Sequence, residues 1–354
     1  MAMRIAQIAP LFEAVPPKLY GGTERVVFSL TEALVELGHD VTLFASGDST
    51  TSAKLDAPWP RALRLDPDIR DWVSTYALLI EYVRQRAHLF DVLHFHIDYW
   101  PNSVFLRQDV PFLTTLHGRL DLPEFAAVYR MFPTVPLVSI SNSQRIPLPD
   151  VGWAATVYHG MPENLLTPQE AANRDYFAFL GRISPEKGIE RAIEIASRCG
   201  VKLKIAAKVD KADAEYFKDS VEPLLANANV EFIGEINDSQ KPAFLSGARA
   251  TLFPIDWPEP FGLVMIEAMA CGCPVIAMRR GSVPEVMDDG ITGFVVDSVD
   301  EAVAACGRLH ELDRRRVRAQ FEKRFTSRRM AEDYLTLYRR LIAARQPQLR
   351  AVAD

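Results

Sequence analysis

Cysteine is scarce: four residues in 354 (Cys199, Cys271, Cys273 and Cys306) cannot frame a disulfide-held fold, and Cys271-Gly-Cys273 lacks the two-residue spacer of a zinc knuckle. Free thiols in a reducing cytoplasm are expected. Long apolar runs are also missing. No stretch approaches the roughly 18–20 uninterrupted apolar residues of a membrane-spanning helix, and the short run opening the chain, Arg4 to Ala9, leads toward glycines rather than a cleavage site. Neither export nor membrane insertion is predicted. An excess of positive charge is absent as well: 40 Lys+Arg against 46 Asp+Glu leave a net charge of -6, so nothing global draws the chain to nucleic acid or acidic lipid. Low-complexity tracts and internal repeats are not found.

What is present is globular: 48% hydrophobic and 24% charged residues, in a length that predicts about two domains. Short β-rich runs alternate with stretches of helical period. Arg4–Ala9, the helix Thr23–Leu37 and Val41–Ala45 form a β-α-β start. Strands follow at Val92–His96, Phe112–Leu116, Leu137–Ile140 and Trp153–Tyr158, with helices at Trp72–Leu89 and Pro123–Tyr129. From Tyr158 to Asn173 the periodicity is lost, as in a linker. The alternation then restarts with strands at Tyr176–Leu180, Lys202–Ala207, Val230–Ile233, Ala250–Phe253 and Pro274–Ala277, and with helices at Gly188–Cys199, Asp213–Ala226, Ser239–Leu245 and Gly262–Cys271. Two α/β halves with parallel sheets are predicted. The last ~45 residues read as helical and basic (Arg314-Arg315-Arg316, Lys323-Arg324, Arg328-Arg329, Arg339-Arg340), a solvated face by expectation, with a lipid-headgroup or acceptor role as the alternative.

Three motifs stand at strand-to-helix junctions. Tyr20-Gly21-Gly22-Thr23-Glu24 opens the first helix, where paired glycines let a ligand approach the backbone and a helix start offers amides to a phosphate. A tight turn capping a helix would read the same way, and the motif is neither a dinucleotide fingerprint nor a P-loop. Gly181-Arg182-Ile-Ser-Pro-Glu-Lys187-Gly188 puts two cations around a Pro-bearing turn, able to converge on a diphosphate unless they are ordinary surface charge. Glu259-Pro-Phe261-Gly262-Leu263-Val-Met-Ile-Glu267 sets two carboxylates eight positions apart, one before a helix and one about two turns into it. Acids bracketing so apolar a stretch need partners such as sugar or ribose hydroxyls.

These residues resemble glycosyltransferase family 4, retaining transferases that use activated sugars. Glu259-x7-Glu267 with its Pro-Phe-Gly, the following Glu-Ala-Met-Ala-Cys-Gly-Cys-Pro-Val-Ile-Ala, the Arg182/Lys187 pair and Gly21-Gly22-Thr-Glu appear in the family's order and cover nearly the whole chain. The resemblance implies a GT-B fold: two Rossmann-like domains facing a central cleft, an acceptor-side domain over 1–160, a donor-binding domain over 161–326, and a C-terminal helix over 327–354 returning to the N-domain. It implies that Arg182 and Lys187 grip the donor diphosphate and that Gly21, Gly22 and Gly181 let backbone approach it. Glu259 would bond the transferred sugar, with the amides of Phe261, Gly262 and Leu263 beside it, and Glu267 would hold the ribose. His117 matches the N-domain histidine facing that sugar, and Gly234-Glu235-Ile236 the segment reading the base.

The activity so implied is transfer of a hexose, glucose by expectation, from a UDP-linked donor to a hydroxyl of a small or lipid-linked acceptor, with retention, by front-face attack. No cofactor and no metal are expected, the nucleotide sugar being a co-substrate. A nucleotide-sugar isomerase or phosphorylase on the same scaffold is the alternative. Asp91-Val-Leu-His94-Phe-His96-Ile-Asp98 resembles in part a zinc hydrolase's His-x-His-x-Asp-His, but Tyr99 stands where the last histidine should, and Glu24, His96 and Asp98 are read as acceptor-side instead. A cytoplasmic bacterial enzyme is expected, with peripheral contact at the inner membrane face left open and the oligomeric state unreadable.

Overall fold

The computed structural model describes residues 2–18, 21–170, 173–226 and 229–352, without the side chains of 346–352; Tyr20 of the Gly21-Gly22 motif lies outside them. The chain falls into two compact units, Met1–Pro162 with Ser327–Asp354, and Glu163–Thr326.

The first unit carries a seven-stranded parallel sheet among the described residues. Its strands are β1 (Arg4–Ile8), β2 (Asp40–Ser46), β3 (Lys54–Trp59), β4 (Val92–Phe95), β5 (Phe112–Thr115), β6 (Leu137–Ser139) and β7 (Trp153–Thr156), in the order β3-β2-β1-β4-β5-β6-β7. Central strands are buried on both faces, as a sheet covered by helices on each side requires: four of the five β1 residues are buried, three of them apolar and the fourth Gln7. The strand order reverses between β1 and β4, so a crevice is expected at their C-terminal ends. Gly21 to Glu24, His96, Asp98 and His117 all follow those ends of β1, β4 and β5. The terminal helix Ser327–Val352 packs on this unit, where Tyr334 and Tyr338 are almost fully buried.

The second unit repeats the plan with six strands: β8 (Tyr176–Arg182), β9 (Lys202–Lys208), β10 (Val230–Gly234), β11 (Ala248–Phe253), β12 (Val275–Met278) and β13 (Gly293–Val296), in the order β10-β9-β8-β11-β12-β13. Here the reversal falls between β8 and β11. The core joins Phe177, Phe179 and Leu203 to Ile189, Ile193 and Ala196 of the helix Ile189–Arg198, whose apolar residues recur at helical spacing.

Three expectations are corrected. The continuous helix over Asp213–Ala226 is broken into a 3-10 turn, one α-turn at Ala214–Tyr216, a π-turn at Phe217–Val221 and a further 3-10 turn. Pro223 has no N–H to give and its ring crowds the preceding turn. Strand β3 is an addition, hidden in the sequence by Pro58, which an edge strand tolerates. The basic C-terminal run is not simply a solvated face: Arg314 donates to the carbonyls of Ser246, Ala248 and Arg249, Arg318 to those of Glu163, Leu166 and Ala270, Arg324 to Glu285 and Val286, Arg329 to Tyr158 and His159, and Arg340 to Ala154. Guanidinium forks thus satisfy main-chain acceptors that helix ends and turns leave open.

Candidate functional site

Chemistry-bearing residues of the second unit gather at the C-terminal ends of β8 and β11, on either side of the reversal. Strand β8 ends in Gly181-Arg182, and the turn after it delivers Lys187 and Gly188. Gly188 is left-handed (φ 71), and a Cβ there would lie 2.1 Å from the Pro254 carbonyl oxygen, so only glycine lets this turn pack on the segment after β11. That segment carries Glu259, buried in spite of its charge. Its carboxylate accepts from the Lys187 ammonium and, at 3.0 Å, from Trp257 Nε1. The ammonium also lies 5.0 Å from the Trp257 ring centre.

The backbone between Glu259 and the helix Leu263–Ala270 is held from a neighbouring loop. Ser282 donates its N–H to the Glu259 carbonyl and its hydroxyl to the Phe261 carbonyl, both at 2.9 Å. Gly262 caps the helix in the left-handed region (φ 79), with Met265 Cε 2.7 Å from where a Cβ would stand. Phe261 is buried, while Gly262 and Leu263 are half-buried at the helix start. About one turn into the helix, Glu267 is buried and paired at 2.6 Å with Lys241, itself buried and 3.1 Å from Asp238. Ile236 is half-buried in the loop after β10, three residues past Ile233 and close in sequence to Asp238 and Lys241.

Arg182 faces acids: Glu186 at 2.6 Å, Asp213 at 3.7 Å and Asp210 at 3.9 Å. The two cations read as an anion grip are therefore each matched to a carboxylate within this unit. Lys241, Trp257 and Ser282 were not singled out from the sequence. A lysine in a short helix reads as surface charge, and only the fold shows that Lys241 is the counter-ion of Glu267. A separate cavity of about 630 Å³, lined by Arg174, Ser246, Arg314, Arg315 and Arg318, lies by the N-terminal ends of β8 and β11, away from these residues.

In the first unit, Gly21 precedes the helix Gly22–Glu36, and a Cβ on it would meet Pro17 at 2.7 Å. Glu24 is buried in that helix's first turn, and its carboxyl is pushed up to about 7 by burial, with Glu13 adding to the effect. Asp98 is exposed and left-handed (φ 50), a conformation that aspartate tolerates better than most residues. His96 is buried, its Nδ1 2.8 Å from His117 Nε2, and His117 stacks on His159 at 5.2 Å between ring centres. Both nitrogens of His117 are turned inward in this state, one toward His96 and the other buried. Among the described residues, no three His, Cys, Asp or Glu side chains gather as a metal ion would require.

Comparison with known proteins fits this geometry. The family model for glycosyltransferase family 4 matches residues 20–144 and that for group 1 glycosyl transferases matches residues 166–325. The chain belongs to the glycosyltransferases. It is 25% identical over 95% of its length, and over the whole of the relative, to an alpha-maltose-1-phosphate synthase of Mycolicibacterium smegmatis. Over 34% of its length it is 33% identical to an uncharacterized 41.2 kDa protein in the cps region of Klebsiella pneumoniae, of which it covers 32%. It thus spans about a third of that protein and 38% of a Mycobacterium tuberculosis alpha-maltose-1-phosphate synthase that is 32% identical over 146 residues.

Among solved structures, this glycosyltransferase superposes on AviGT4, a glycosyltransferase involved in avilamycin A biosynthesis, with a TM-score of 0.74, 24% identity and coverage of 96% and 98% of the two chains. On Anabaena HepE in complex with UDP-glucose the TM-score is 0.71, with 17% identity and coverage of 97% and 99%. Two Rossmann-like parallel-sheet domains of this kind constitute the GT-B fold.

Proposed function

We propose that this glycosyltransferase moves glucose from UDP-glucose to a hydroxyl of a small or lipid-linked acceptor, with retention and without a metal ion. The observation that carries the reading is Glu259: a buried carboxylate, held by Lys187 and Trp257, standing three residues before a left-handed glycine and a helix start, beside the strand end that bears Arg182. A carboxylate so placed accepts from sugar hydroxyls, and the helix-start amides lie next to it. HepE, of the same fold, binds UDP-glucose, which supports uridine and glucose here.

In the reaction the acceptor oxygen attacks the anomeric carbon on the face from which the diphosphate oxygen departs. The new carbon–oxygen bond forms as the old one breaks, and the acceptor's proton passes to the departing diphosphate. Arg182 and Lys187 stabilise the charge that grows on that leaving group, which is electrostatic preorganisation rather than nucleophilic catalysis. Glu267 with Lys241 holds the ribose, and the loop at Ile236 reads the base. Glu24, His96 and Asp98 line the acceptor side, His117 faces the transferred sugar, and Gly21 and Gly22 leave their backbone open to the donor diphosphate.

Thermal shift against UDP, GDP, ADP and their sugar conjugates tests the donor, since ligand at ~100 times its dissociation constant adds about 2.7 kcal/mol to the native state. A shift selective for UDP-glucose, followed by acceptor-dependent release of UDP that survives EDTA, is expected. Release of UDP that demands a divalent ion would refute metal independence, and a flat panel would refute the donor site.

A further inference from the structure

Gln7 stands in the middle of β1, fully buried, in a strand whose neighbours are apolar. A carboxamide there needs partners, and it has two. Its Oε1 lies 2.8 Å from His96 Nε2, and its Nε2 donates to Tyr338 Oη at 3.0 Å. Beyond His96, Nδ1 is 2.8 Å from His117 Nε2. Beyond Tyr338, the hydroxyl is 2.7 Å from His94 Nδ1, His94 Nε2 is 2.7 Å from Thr115 Oγ1, and that hydroxyl is 2.8 Å from Tyr334 Oη. Six contacts form one wire from His117 to the C-terminal helix, all inside the first unit.

Each member can donate only where its neighbour accepts, so the wire has two self-consistent directions. In one, His94, His96 and His117 all carry their hydrogen on Nε2. In the other, with the Gln7 carboxamide reversed, all three carry it on Nδ1. One atom decides between them. His117 Nδ1 is buried and has no hydrogen-bond partner among the described residues. Hydrogen on it would leave a buried N–H unpaired, which folded proteins almost never do, whereas an unmet lone pair is tolerated more often. Burial also keeps these imidazoles neutral, lowering His117 to about 3 and His94 and His96 well below the ordinary histidine value.

We propose that Gln7 is the positioning residue of this wire: accepting from His96, it fixes His117 as the Nε2–H tautomer and holds its ring against His159, and donating to Tyr338, it ties the same proton order to the C-terminal helix. The order runs His117 to His96 to Gln7 to Tyr338 to His94 to Thr115 to Tyr334, each donating to the next. That the wire serves sugar transfer rests on the proposed function; the proton positions do not.

Nitrogen-15 NMR of histidine-labelled protein near neutral pH reads the tautomers directly. Nε2–H at His94, His96 and His117 is expected, and Nδ1–H at His117 would overturn the proposal. Gln7→Leu cuts both arms, so mixed tautomers at His96 and His117 are expected, with kcat about tenfold lower and donor KM within twofold. Unchanged tautomers in that variant would remove Gln7 from the role. Should Gln7→Leu not fold, Tyr338→Phe cuts one arm alone: His94 loses its fixed tautomer while His96 and His117 keep theirs, and an unmoved His94 would overturn the order. An inactive wild-type protein with Nε2–H histidines would defeat the transferase reading and leave the wire intact; an active one with Nδ1–H histidines would do the reverse.

Discussion

Lys187 and Glu259, 72 residues apart in sequence, form a largely buried ion pair that joins the turn after β8 to the segment after β11. Breaking a buried pair from one side strands the other charge, whereas removing both is far less costly. Lys187→Met and Glu259→Gln should therefore each lower stability by about 3 kcal/mol, and the double variant by much less than their sum. Turnover should not recover in the double variant, because each group also acts on the donor; a fall of roughly 100-fold or more in kcat is expected for all three. Urea unfolding and initial rates on the same preparations separate the two effects. Additive stability losses would show that the pair carries no coupling.

Arg182 is matched to Glu186 at 2.6 Å, and a diphosphate that takes the guanidinium must compete with that carboxylate. Removing the competitor should help binding. Glu186→Gln is expected to lower the dissociation constant of UDP about three- to tenfold, corresponding to roughly 1 kcal/mol of released competition at a half-exposed pair. Titration calorimetry measures it, with Arg182→Gln as the opposite control. Weaker UDP binding in Glu186→Gln would mean that the acid orients Arg182 rather than occupies it.

Much of this arrangement was legible in the sequence, for definite reasons. Strands such as β1 and β11 are short apolar runs bounded by turn residues, and Gly262 and Gly188 mark backbone that no other residue adopts cheaply, so the junctions bearing Glu259 and Lys187 could be placed before the fold was known. Pairings across the sheet were not legible. Lys241 meets Glu267 and Gln7 meets Tyr338 across 26 and 331 residues, and no local pattern encodes either contact. The arginine clusters misled because charge in a helix reads as solvated, although a guanidinium can bury its donors on carbonyls while its stem covers apolar surface.

Arg318 shows the consequence most clearly, donating to the carbonyls of Glu163, Leu166 and Ala270. Arg318→Ala leaves three acceptors short and should cost about 2 to 3 kcal/mol. Arg316→Ala, an exposed neighbour on the same helix, should stay within about 0.5 kcal/mol. Chemical denaturation of the two variants checks this. Equal effects would return the basic run to the role of solvated charge.

Glu24 gives a pH dependence whose sign follows from its burial. Its carboxyl titrates at about 7 in the folded unit, against the ordinary value of 4.5 in the unfolded chain, so the native state prefers the protonated form. Between those two values the native state binds more protons than the unfolded one, and stability falls as pH rises. The contribution is fully present below about pH 4.5 and is lost through pH 7, a swing on the order of 3 kcal/mol. Buried neutral histidines such as His117 act oppositely, losing stability as pH falls below 6.5 toward about 3, so the wild-type profile mixes both trends. Glu24→Gln isolates the carboxyl. Against wild type, the variant should be equally stable at pH 4.5 and more stable at pH 8 by that swing, measured by urea unfolding at each pH. A constant difference across the range would show that the Glu24 carboxylate is solvated or paired, and that its place in the helix's first turn carries no electrostatic strain.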